Sequence, residues 1–187
     1  MRKLVCFMHT SLDGFVAGPK GEMDWINVDD EIFEYAGRQT READTALYGR
    51  ITYEMMQSYW PTAEHQPNAS AHDVEHSRWY NSVTKVVISK SLQGKTLPDT
   101  IIIGDNLEDS IKELKQRNGR NILMFGSPQT AHALMHHNLI DEYWVFVNPV
   151  ILGEGIPLFS SIRERLMLKL AECKVFSSGV VGLCYTT

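Results

Sequence analysis

Ile122-Leu123-Met124-Phe125-Gly126-Ser127-Pro128-Gln129-Thr130 runs as four apolar residues, a glycine, a serine and a proline, then a helical pattern. A buried strand ends at Phe125. A helix begins near Pro128, because proline suits the first helical position and Ser127 is a good N-cap. The backbone N–H groups at such a helix start have no intrahelical partner, and they attract anions, phosphate above all. The stretch therefore predicts a strand–glycine–helix corner that can hold an anion.

Outward from this corner, strands and helices alternate. Strands are predicted over 4–8, 45–48, 85–89, 100–103 and 141–147 from apolar and β-branched runs. Helices are predicted over 51–59, 107–117 and 128–137, and another follows a cap at Asp29 or Asp30, with Ile32, Tyr35, Ala36 and Gln39 on one face. Residues 62–72 read as a polar surface loop, with a short helix closing at Arg78-Trp79-Tyr80. Segments 166–176 and 180–185 form an antiparallel pair around a Ser177-Ser178-Gly179 turn. This order predicts a three-layer α/β sandwich: a mostly parallel central sheet, helices on both faces and an antiparallel C-terminal hairpin.

In such sheets ligands bind at the carboxyl ends of the strands. Two further strand ends carry suitable groups there, Gly49-Arg50 and Ser89-Lys90. Three potential phosphate contacts on one rim say more than any single glycine turn. The loop Ser11-Leu12-Asp13-Gly14-Phe15-Val16-Ala17-Gly18-Pro19-Lys20-Gly21, rich in glycine, is the kind that carries sites.

At 187 residues, 43% hydrophobic and 22% charged, the chain fits one folded domain, 1–187, with a sizeable core. A net charge of -5 without a basic run argues against nucleic acid, and no apolar run is long enough to span a membrane. The run after Met1-Arg2-Lys3 is too short for a signal peptide. Three cysteines in apolar strand-like runs, Cys6, Cys173 and Cys184, suit buried reduced thiols in a cytoplasm.

Five segments together resemble the dihydrofolate reductase-like superfamily. They are Ser11-Leu12-Asp13-Gly14, Tyr48-Gly49-Arg50-Ile51-Thr52-Tyr53-Glu54, Phe125-Gly126-Ser127, Leu139-Ile140-Asp141-Glu142 and Pro149-Val150-Ile151-Leu152-Gly153-Glu154-Gly155. The resemblance is greatest to the reductase domain of the bifunctional riboflavin-biosynthesis enzyme, a 5-amino-6-(5-phosphoribosylamino)uracil reductase, and its stand-alone bacterial relatives. Gly126-Ser127-Pro128 matches that branch rather than the glycine run of the folate enzymes. The resemblance implies NADPH bound across the rim and hydride transfer to a small pterin-, pyrimidine- or flavin-like heterocycle. It implies that Gly49, Arg50 and Thr52 hold phosphate, and that Ser89 and Lys90 contact the 2′-phosphate. It further implies that Gly126, Ser127, Gln129 and Thr130 form the second pyrophosphate corner, with Val16 and Ala17 meeting the nicotinamide. Trp25 matches the family's loop tryptophan, and Asp30, five residues on, sits where folate enzymes place the carboxylate that assists protonation. A homodimer is implied as well, with the aromatic segment holding Tyr143, Trp144 and Phe146 offering apolar area for the contact.

Each of these residues has a second reading. Asp13 is a substrate-loop residue or an Asx turn. Arg50 is a phosphate ligand or an ion-pair partner, and Lys90 a ligand or a solvated lysine. His72 and His76, like His132 and His136, are four apart and could share a helix face, but no third ligand accompanies either pair, so no metal is expected. The chain as a whole reads as an NADPH-dependent reductase. The alternatives are a nucleotide- or pterin-binding protein of the same fold that has lost the chemistry, and a dimer module whose glycine corners only pack.

Overall fold

The computed structural model describes residues 1–160, 162 and 164–187. The elements in order are β1 (Leu4–Thr10), β2 (Phe15–Ala17), α1 (Asp30–Glu42), β3 (Ala43–Gly49), α2 (Arg50–Tyr59), α3 (Ala71–Ser82), β4 (Thr84–Ile88) and β5 (Thr100–Ile103). Then come α4 (Leu107–Gln116), β6 (Asn121–Phe125), α5 (Pro128–His136), β7 (Glu142–Val147), β8 (Ile156–Pro157), β9 (Lys169–Val175) and β10 (Val181–Thr186). Among the described residues, one sheet runs β5-β4-β3-β6-β1-β7-β10-β9, and β2 pairs with β8 in a small ladder of its own. From β5 through β7 every pairing is parallel, and the C-terminal strands β10 and β9 are antiparallel additions.

The two faces follow from the period-2 alternation of each strand. Leu4, Cys6 and Met8 of β1 join Leu47, Ile122 and Met124 in a core beneath Ile111 and Leu114 of α4 and Leu134 of α5. Val5 and Phe7 join Tyr48, Leu123 and Phe146 in a second core beneath Ile32 and Tyr35 of α1, Tyr53 of α2 and Tyr80 of α3. Leu4, Val5 and Cys6 are wholly buried, and burying each such side chain contributes about 1.5–3 kcal/mol. With both faces covered, β1 has to read as a continuous apolar run.

Several expectations need correction. Residues 62–72 are not one loop: α2 runs straight into a 3-10 segment, Trp60–His65, with Pro61 in its first turn, and α3 begins at Ala71 behind a Ser70/Asp73 capping box. The aromatic segment expected to face a partner is β7, which lies between β1 and β10 with Tyr143, Trp144 and Phe146 buried. It has no free face for a subunit contact. Cys6 and Cys184 are buried, but Cys173 is exposed on the outermost strand.

Candidate active site

β3 passes into α2 without a connecting residue: Gly49 ends the strand and is also the N-cap, followed at once by Arg50. One strand away, β6 turns into α5 through Gly126 and Ser127, both left-handed, at φ 62° and 59°. Neither Gly49 nor Ser127 supplies a side-chain cap, so the first N–H groups of both helices lack a capping side chain. This corrects the expectation for Ser127. It occupies the N-cap position, but its hydroxyl pairs with Thr130 Oγ1 at 2.9 Å instead of capping.

The two corners interlock. A Cβ on Gly49 would fall on Ser127 Oγ and lie 2.7 Å from Thr130 Oγ1, and a Cβ on Gly126 would lie 3.2 Å from Thr52 Cγ2. Gly49, Thr52, Gly126, Ser127 and Thr130 therefore meet in one bare-backboned cradle with three hydroxyls. Gln129 is exposed on the first turn of α5.

Ser89 and Lys90 follow β4, the neighbour of β3 on the other side, so the three strand ends share the expected rim and are adjacent on it. Ser89 Oγ accepts from Leu92 N–H, which shapes a turn, and Lys90 is 84% exposed, 3.8 Å from Asp105. Arg50 pairs with Glu54 one turn along α2, at 2.8 Å. Val16 and Ala17 are buried in β2, which follows β1 on the far side of β6. From β4 to β1 the rim spans about 14 Å, three inter-strand spacings.

The loop before β2 is tied to the loop after β7. Asp13 accepts from the Ser11 hydroxyl at 2.6 Å, from Gly153 N–H at 2.8 Å and from Leu152 N–H at 3.2 Å. The Ser11 hydroxyl, ahead of those two amides, holds its carboxyl below the usual range. Asp13 is thus a clamp between two loops rather than an Asx turn. Asn148, fully buried, extends the same tether: it accepts from Asn27 N–H and donates to Thr10 C=O.

Beside the β1 and β6 ends, on the α1 and α3 face, lies a cavity of about 310 Å³. Phe7 and Phe125 form its floor, Ile32 and Phe33 one wall, and Met56 and Trp60 another. Phe125 immediately precedes Gly126, so the cavity adjoins the cradle. His9, His72 and His76 also line it. His72 stacks on Phe33 at 3.7 Å, and His76 lies 4.1 Å from the Trp60 ring. Burial pushes the His9 imidazole down to about 4 and His76 to about 3, so both are neutral at ordinary pH. Sequence reasoning missed all three as cavity residues. The available signal was alternation along β1, which puts His9 on the face of Val5 and Phe7.

Asp30 and Trp25 do not reach this cavity. Asp30 is exposed in the first turn of α1, where Asp29 is the N-cap, so the expected part-buried carboxyl is not there. Trp25 donates its indole N–H to Glu22 C=O within its own loop. His132 Nε2 donates to Leu158 C=O at 2.8 Å, and its Nδ1 lies 3.2 Å from the Ser160 hydroxyl, away from the strand ends.

The model of the RibD C-terminal domain matches residues 2–182. The chain belongs to the RibD C-terminal domain family. The uncharacterized protein YyaP of Bacillus subtilis (strain 168) is similar to it at 31% identity over 188 residues, covering 98% of this chain and 94% of the relative. A solved structure of a Shewanella sp. PV-4 protein named for riboflavin biosynthesis matches at TM-score 0.73 and 23% identity, covering 98% of each chain. The diaminohydroxyphosphoribosylaminopyrimidine deaminase/5-amino-6-(5-phosphoribosylamino)uracil reductase of Thermotoga maritima matches at TM-score 0.66 and 17% identity, over 99% of this chain and 56% of that one. Dihydrofolate reductase from Enterococcus faecalis, complexed with NADP(H) and RAB-propyl, matches at TM-score 0.62 and 14% identity, covering 98% and 95%. The fold of this RibD C-terminal domain is therefore that of the dihydrofolate reductases.

Proposed function

We propose that the chain is an NADPH-dependent reductase that delivers hydride to a small heterocycle seated in the cavity beside β1 and β6. The observation that carries this reading is the cradle where Gly49 and Gly126 leave no room for a side chain and two uncapped helix starts come together. Bare backbone, helix-start N–H groups and the hydroxyls of Thr52, Ser127 and Thr130 suit a pyrophosphate. Lys90 and Ser89, one strand further out, suit a 2′-phosphate, and Arg50 can exchange Glu54 for a phosphate. Val16 and Ala17, at the other end of the rim, are the residues that would face the nicotinamide.

NADPH, when bound, supplies the hydride. The chain's own part is orientation and water exclusion: the cradle fixes the cofactor along the rim, and the aromatic walls hold the acceptor ring beside it. The proton that completes reduction comes from water, since the cavity histidines are neutral and Asp30 lies outside. That no buried carboxyl group lines the cavity among the described residues also favours a second reading, a nucleotide-binding protein that has lost reduction. A cytoplasmic homodimer belongs to the proposal too. With β7 covered, the edge strand β9, with Leu170 and Val175 exposed, is the strand proposed for a subunit contact; sedimentation velocity of the full chain tests it.

Titration with NADPH and NADH tests the cofactor. NADPH is expected to bind at least tenfold tighter, with Lys90→Ala narrowing the gap and Arg50→Ala weakening both. Binding of neither at millimolar concentration would sink the reading. NADPH that binds but is oxidised by no pterin, pyrimidine or flavin would leave the binding-protein reading standing.

A further inference from the structure

Four aromatic rings, Phe7, Phe33, Trp60 and Phe125, dominate the cavity, and among the described residues neither lysine nor arginine lines it. Among the described residues its one carboxyl side chain is that of Glu75, which is exposed at the rim and faces the Arg41 guanidinium at 3.1 Å. The hydroxyl among the lining side chains is committed as well: Thr40 Oγ1 donates to Gly37 C=O at 2.8 Å. Of the imidazoles, His72 is stacked flat on Phe33 and His76 is packed against Trp60, Trp79 and Phe125. His9 differs from these. Its ring is stacked on Phe146 at 5.0 Å and lines the cavity; its Nδ1 is buried without a hydrogen-bond partner among the described residues, which leaves Nε2 as the nitrogen open to a ligand.

A ring nitrogen with no accessible surface cannot be reached by a ligand, so a ligand's hydrogen bond goes to the other nitrogen of the His9 ring, Nε2. A neutral imidazole offers one donor and one acceptor. An anion in the same space would find no cation among the lining residues, and the Arg41 guanidinium at the mouth is already taken by Glu75. Aromatic walls favour a flat ring in offset or edge contact. At about 310 Å³ the cavity is at the small end for ligand sites, suited to one fused ring system.

We propose that this cavity takes an uncharged, flat aromatic heterocycle with no anionic substituent on the buried ring, and that His9 supplies its hydrogen bond from the floor. The inference deepens the reductase reading and rests on it for the identity of the ligand as hydride acceptor.

Calorimetry on the full chain without cofactor tests it, with quinazolin-4-one, its 6-carboxylate and naphthalene as probes of nearly equal ring size. Quinazolin-4-one is expected to bind at least tenfold tighter than the carboxylate. His9→Leu is expected to weaken quinazolin-4-one at least fivefold and leave naphthalene within twofold. His9→Gln, which keeps an amide in place of the ring, is expected to retain more quinazolin-4-one binding than His9→Leu, and it decides the matter if His9→Leu does not fold. Glu75→Gln is expected to shrink the discrimination against the carboxylate to less than threefold. Carboxylate binding equal to or tighter than the neutral ring overturns the proposal. So does an equal loss of quinazolin-4-one and naphthalene in His9→Leu, which would make His9 a packing residue. The two readings fail separately: ring binding as predicted with no NADPH binding removes the reductase and keeps the neutral-ring cavity, whereas NADPH binding with carboxylate preference does the reverse.

Discussion

At Gly49 a methyl group would fall on the Ser127 hydroxyl and within 2.7 Å of Thr130 Oγ1. Neither neighbour is the loose end of a long side chain. Gly49→Ala is therefore expected to lose roughly 1–3 kcal/mol of stability by overpacking, read by urea denaturation, together with at least tenfold in NADPH affinity. Adding Ser127→Ala removes one of the clashing atoms but leaves Thr130 Oγ1 at 2.7 Å and the residue-127 Cβ at 2.8 Å, so it should return only part of the stability and none of the affinity. Gly126 differs: its left-handed φ of 62° makes Gly126→Ala cost about 1–2 kcal/mol from backbone alone. The buried imidazoles make a second kind of statement. His9 and His76 are held at about 4 and about 3, below the ordinary 6.5, so the unfolded chain takes up their protons first. Their contribution is fully present above about pH 6.5 and is lost as pH falls toward 4. At pH 5 the loss comes to about 2 kcal/mol for each histidine. Urea midpoints should fall between pH 7 and pH 5, and the fall should be shallower in His9→Leu. A flat profile would mean that water reaches these rings. A histidine at position 9 is easy to pass over in the sequence, because a single imidazole at the end of an apolar strand looks the same whether it borders a cavity or a wall. Only the placement of α1 and α3 tells the two apart.

The elements that were legible are those whose signal is local. β5 carries an unbroken β-branched run, the helix after Gly126 begins at its proline, and the C-terminal hairpin turns at its glycine. What was not legible forms through distant partners. β2 and β8 are short strands that exist because each pairs the other, and no periodicity of three or two residues announces them. α3 was half missed because its histidines and tryptophan face aromatic neighbours across the cavity, so its apolar face is written in residues that do not look apolar. The Asp13 clamp was missed for the same reason, since its amide donors lie far along the chain at Leu152 and Gly153. Asp13→Ala should speed hydrogen exchange at those two amides while β1 and β6 stay protected. On the opposite edge of the sheet, Lys115 of α4 reaches Leu139 C=O and the Asp141 carboxylate, which also accepts from Leu4 N–H. Lys115 is nearly buried. Lys115→Met should cost about 2 kcal/mol or more, because the Asp141 carboxylate is left without its partner, and thermal unfolding at fixed pH reads the loss. That edge holds the layers together, and the carboxyl edge is left for chemistry.

Across the whole molecule, strand order decides what the corners can do. β4, β3, β6 and β1 lie side by side, so contacts separated in the chain by Ser89, Thr52, Ser127 and Val16 become one continuous rim. The individual corners were visible in the sequence, and their common rim followed from the parallel sheet; their adjacency was not, because it depends on strand order, nor was their interlocking, with Gly49 against Ser127 and Gly126 against Thr52, because it depends on contact across two strands. The central claim is that this joined cradle is where the dinucleotide sits. Amide hydrogen exchange with and without saturating NADPH tests it most directly. Residues 49–53 and 126–131 should become protected together, with little change at the opposite edge around Lys115 and Asp141. NADPH that binds but leaves both corners exchanging at their free rate would contradict the account.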